Sequence, residues 1–114
     1  MKKIVLLFGF FVFFVLLAEA YAHPPSDIKI TFDPKTKILN AVIMHDVSNP
    51  SAHFIKEVDV SVNGKEIIQQ NISRQDNFNT QAVNYLIPDA KEGDLFSVEG
   101  YCSISGKLEK QLKI

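Results

Sequence analysis

Apolar and polar residues alternate with a period of two along most of the chain, and short Gly-, Pro- and Asn-containing segments interrupt the pattern. Ile28-Lys29-Ile30-Thr31-Phe32 places its apolar side chains on one face, as a half-buried strand requires. Asp33-Pro34-Lys35-Thr36 reads as a turn, because proline pre-sets the backbone for the second turn position. An aliphatic and β-branched run from about Lys37 to Val47 predicts a second strand, which Ser48-Asn49-Pro50-Ser51 ends. His53 to Val62 predicts a third, with Val58, Val60 and Val62 alternating against Asp59 and Ser61. Asn63-Gly64 joins it to a return strand from Lys65 to Gln70. A type I′ hairpin turn needs positive φ at both central positions, and Asn-Gly supplies it.

The polar stretch from Asn71 to Thr80 predicts a loop with a short irregular strand. Gln81 to Ile87 (ended by Pro88), Leu95 to Ser103 and Lys107 to Ile114 predict three more strands, with turns at Asp89–Asp94 and Ser105-Gly106. About seven short strands, with no stretch of helical periodicity, point to an all-β fold: an immunoglobulin-like β-sandwich.

The first 22 residues follow a different rule. Lys2 and Lys3 precede an uncharged apolar run from Ile4 to Ala18, and Ala18-Glu19-Ala20 and Ala20-Tyr21-Ala22 both carry the small-x-small pattern of a signal-peptidase site. The run falls short of the roughly 20 apolar residues that span a bilayer. Residues 1–22 therefore read as a cleavable signal peptide, and cleavage after Ala22 leaves His23 as the new N-terminus of a single domain, 23–114. The expected location is secreted or periplasmic, with no membrane attachment after cleavage. No Arg-Arg pair precedes the run and no Cys follows it, so the chain is expected to cross unfolded and without a lipid anchor.

Charge removes further classes. The chain has 12 Lys and Arg against 13 Asp and Glu. Loss of Lys2, Lys3 and Glu19 with the signal leaves residues 23–114 at −2, which offers no electrostatic footprint for nucleic acid. Cys102 is the only cysteine, so no intrachain disulfide can staple the fold.

Most catalytic signatures are missing: no phosphate-binding glycine loop, no Gly-x-Ser-x-Gly and no His-Glu-x-x-His. The metal-competent side chains are His23, His45, His53 and Cys102. His45 lies near a strand end and His53 opens the next strand after an Asn-Pro turn, so a connection between antiparallel neighbours would bring both rings to one rim. Cys102 ends a late strand, and His23 sits on an N-terminal arm that could fold over. Imidazoles and a thiolate suit iron, copper or zinc. Taken singly, each residue also has a plainer reading: a surface histidine, a frayed terminus, a small buried cysteine.

The segment His45-Asp46-Val47-Ser48-Asn49-Pro50-Ser51-Ala52-His53-Phe54-Ile55 resembles one in the superoxide reductase (desulfoferrodoxin, neelaredoxin) family. Ile87-Pro88-Asp89-Ala90 through Gly93-Asp94, and Tyr101-Cys102-Ser103-Ile104-Ser105-Gly106, resemble later segments of that family in the same order. The resemblance implies an immunoglobulin-like sandwich and a mononuclear non-haem iron, with His45 and His53 as equatorial ligands, Cys102 as the axial thiolate and His23 as a further imidazole. It implies reduction of superoxide to peroxide, with superoxide and an electron donor as partners. The chain departs from the family where Ser105 replaces a ligand histidine, and no lysine precedes His23 as the family's does. These departures keep open a non-catalytic exported module that binds a partner protein or a copper or zinc ion. Divalent copper and zinc outcompete ferrous iron at nitrogen and sulfur sites, and a cleaved chain would add a free amine beside the His23 imidazole.

Overall fold

A computed structural model describes residues 23–114, and the expected signal peptide, 1–22, lies outside the described residues. Seven strands follow in order: β1 (Asp27–Asp33), β2 (Ile38–Met44), β3 (Ile55–Val62), β4 (Lys65–Asn71), β5 (Thr80–Leu86), β6 (Leu95–Cys102) and β7 (Lys107–Lys113). They form two antiparallel sheets, β1-β2-β5 and β4-β3-β6-β7. The architecture is the expected all-β sandwich, with no helix among the described residues.

Alternation builds the core. Ile28, Leu39, Ala41, Ile43 and Val83 from the first sheet meet Ile55, Val58, Val60, Phe96 and Val98 from the second. The two layers pack tightly at Gly100, where an added Cβ would lie 3.2 Å from Ile43 Cδ1. Phe32 and Phe96 bridge the layers with ring centroids 5.2 Å apart, a favourable tilted contact.

The turns follow local chemistry. Asn63 (φ 50°) and Gly64 (φ 84°) adopt the left-handed conformation expected of the hairpin. After β1, Asp33 Oδ1 accepts a bond from Lys35 N, and Lys37 (φ 64°) turns the chain into β2.

Four expectations change. The second strand stops at Met44, so His45 lies just beyond it rather than within it. The third starts at Ile55, leaving His53 in the preceding turn. β2 and β3 are not neighbours in a sheet: the Ser-Asn-Pro-Ser segment carries the chain from one sheet to the other. Nor is there a strand within 72–79. Side-chain bonds hold that loop instead: Asn77 Oδ1 accepts from the backbone of Asn79 and Thr80, and Asp76 Oδ2 accepts from Ala82 N.

The outer face of the second sheet crowds carboxylates. Glu57 pairs across from Tyr101, and Asp59 from Glu99. Among the described residues Asp59 Oδ1 is buried without a hydrogen-bond partner. Burial chiefly pushes its carboxyl up to about 6, with Glu57 and Glu66 adding to the effect. A folded-state value above the ordinary 3.8 means that stability falls as pH rises through that interval and stays lower above it. Asp59→Asn should therefore match the parent's melting temperature below pH 4 and exceed it at pH 7–8. Thermal scans should show a gain of about 4–8 °C for each kcal/mol recovered.

Candidate metal centre

Four chain segments meet at one rim of the sandwich. His45 follows β2 directly, its N–H bonded to Asn79 O at 2.8 Å, so the ring sits at a fixed distance past the strand end. His53 closes a tight turn in which Asn49 O accepts from both Ala52 N and His53 N, and Asn49 Oδ1 accepts from Ser51 N. That Asx-type turn is how asparagine before proline reverses a chain. Two residues later Ile55 pairs with Cys102, which brings the end of β6 beside His53.

The His23 arm is equally well seated. Pro25 is buried, and Ser26 N donates to Met44 O at 2.8 Å. Pro24 lies on the β6–β7 turn at Gly106, where an added Cβ would come within 2.8 Å of Pro24 Cβ. Gly106 also has φ +86°, so both its conformation and its closeness to the arm require glycine.

The result is a compact donor set. His23, His45 and His53 offer nitrogen atoms that all lie within 4.8 Å of one another, close enough to bind one metal ion. Ring centroids are 4.9 Å (His23–His45), 5.1 Å (His23–His53) and 4.8 Å (His45–His53) apart. Cys102 Sγ lies 3.1 Å from His53 Nε2 and receives Ile104 N–H at 3.4 Å. The thiol is buried, as the plainer reading of a lone cysteine expected, yet it faces the histidine group. All four predicted site residues are thus at the rim: three histidines form the cluster and Cys102 joins it through His53.

Burial is the main reason that His53 titrates below the ordinary histidine range, with repulsion from His45 and His23 contributing. A neutral imidazole is the form that ligates a metal. The donor set of three nitrogens and one sulfur fits the borderline and late first-row ions, whereas oxygen-seeking magnesium and calcium would find no carboxylate in it.

Sequence reading missed Gln75. It is 1% exposed, and its Nε2 donates to His45 O at 2.8 Å and to Asn77 O at 3.0 Å. The amide orientation follows: Oε1 must be the atom 2.8 Å from His45 Nδ1, so Nδ1 carries the proton and donates. The lone pair of Nε2 is then directed to the cluster, where its nearest partner is His23 O at 3.3 Å, itself an acceptor. A cation would satisfy both. Gln75 is a positioning residue of the kind that orients ligating histidines. Gln75→Leu should lower metal affinity about 10–100-fold and mix the His45 tautomers seen in ring ¹⁵N shifts. Gln75→Glu keeps an acceptor at Nδ1 and should restore a single tautomer.

Lys56, the extra residue of a bulge where β3 pairs with β6, lines a hollow of about 230 Å³ with Cys102, Ser105 and Lys107. Bulges commonly re-aim side chains beside sites. Ser105 is exposed on the turn and adds no imidazole to the cluster. No known protein family matches the chain, and neither does any curated protein.

Proposed function

We propose that this is an exported mononuclear metal protein in which His23, His45, His53 and the Cys102 thiolate hold one ion, and that with ferrous iron it acts as a superoxide reductase. The observation that carries the reading is the 3.1 Å separation of Cys102 Sγ from His53 Nε2 within a three-histidine cluster. Metal–sulfur bonds of about 2.3 Å and metal–nitrogen bonds of about 2.0–2.1 Å separate the two donors by about 3.1 Å at a right angle and about 3.5 Å at a tetrahedral angle. Both donors would therefore reach one ion with little movement. The resemblance at His45–Ile55 and Tyr101–Gly106 supports the same ligand set.

Ferrous iron, when bound, supplies the single electron that with two protons converts superoxide to hydrogen peroxide. The chain's contribution is to hold that ion reducible and accessible. Gln75 fixes the His45 tautomer, Ile104 N–H moderates the charge on sulfur, and burial shifts His53 toward its neutral form. An electron donor must restore the reduced state after each turnover.

A second reading is favoured by Ser105, which leaves three imidazoles where the family would supply four. In it the same side chains hold copper or zinc without turnover, outside the cytoplasm, or the domain serves a partner protein. Anaerobic loading of residues 23–114 with ferrous iron separates the readings. One iron per chain, a thiolate-to-ferric absorption band lost in Cys102→Ser, and consumption of superoxide are expected. Stoichiometric zinc or copper without superoxide consumption would leave only the metal-holding role. Failure to bind any of the three ions would remove both metal-based readings and leave only the partner-binding module.

A further inference from the structure

The main chain of His23, as well as its ring, comes up to the cluster. His45 Nε2 lies 3.3 Å from His23 O, and backbone bond lengths keep a residue's own nitrogen within about 3.6 Å of its carbonyl oxygen. The ring turns Nδ1 toward the main chain of the arm, 3.1 Å from Pro24 O, a contact whose proton an ion bound at Nδ1 would displace. The arm is held in this pose by buried Pro25, by Ser26 N on Met44 O and by Pro24 against Gly106. Two consecutive prolines further stiffen it.

Within a longer chain that nitrogen is an amide, whose lone pair is delocalised into the carbonyl and is a poor donor. The Ala20-Tyr21-Ala22 pattern places a signal-peptidase bond directly before it. Hydrolysis of the Ala22–His23 bond consumes one water, leaves a carboxylate on Ala22 and leaves an α-amine on His23. We infer that this α-amine is a further metal donor, which forms a six-membered chelate ring with His23 Nδ1, so that removal of the signal peptide completes the site. The inference rests on the metal-binding reading above and extends it to the backbone. It adds a nitrogen donor that suits first-row divalent ions, ferrous iron as well as copper and zinc. It also places loading after export, since the precursor lacks one donor.

The test uses zinc alone, which neither oxidises the thiol nor displaces amide protons. Two chains are compared by competition with a fluorescent chelator: one beginning at His23 and one retaining Ala22 in front of it. Two tethered donors act at high effective concentration, so the chain beginning at His23 should bind about 100-fold more tightly or better. Equal, measurable affinity in both chains would overturn the inference and leave the metal-binding reading intact. No binding by either would overturn that reading and this inference together. Mass analysis of the exported chain must show His23 at its start, and any other terminus overturns the inference.

Discussion

His45→Ala should lower zinc affinity by about 100-fold or more while leaving the sandwich folded. Structural four-donor sites store about 10–16 kcal/mol, so a single donor carries roughly 3 kcal/mol, or about two powers of ten. His45 is the sharpest single test because it is 1% exposed and anchored on both sides, by Gln75 at Nδ1 and by Asn79 at its backbone. The loss of the ring's hydrogen bond to Gln75 also destabilises the apo-protein, so affinity is best measured below its unfolding temperature. Circular dichroism that keeps its β signature while competition titration loses the metal is the expected pair of results. Unchanged affinity would mean that His45 is no ligand.

Phe96→Ala carries the largest expected cost to the fold. Phe96, the second residue of β6, is fully buried, packed in the core between the sheets and against Phe32. Truncating such a ring removes about 3–5 kcal/mol, from a total of about 5–15 kcal/mol. A domain of this size then melts about 15 °C lower or more, as calorimetry or circular dichroism would show. No disulfide shares the load, because Cys102 is the only cysteine. Phe78, exposed on the 72–79 loop, is the control: its replacement by alanine should leave melting nearly unchanged.

The strands were legible because their signals are local. Period-two alternation and the Asn63-Gly64 turn do not depend on distant residues, and both appear where expected. The connection between β2 and β3 was not legible in the same way. Ser48-Asn49-Pro50-Ser51 makes the same tight turn whether the chain returns to its own sheet or crosses to the facing one. His45 and His53 still meet, because a sandwich closes its rim at that crossing. Gln75 escaped notice for a related reason: it lies among Ser73, Arg74, Asp76 and Asn77, where a polar residue normally faces solvent. Only the three-dimensional path of the loop buries it against His45. Half-burial of Ile30 and Phe32, on the apolar face of β1, likewise reflects position near a sandwich edge, which alternation cannot report.

The four donors come from both layers: the His23 arm and His45 flank strands of the three-stranded sheet, while His53 and Cys102 flank strands of the four-stranded one. An ion held by all four would clasp the layers together where other small sandwiches rely on a covalent bridge. Chelators would then act on this molecule as reductants act on a disulfide-linked one, loosening that end of the sandwich first and the remainder only on stronger heating.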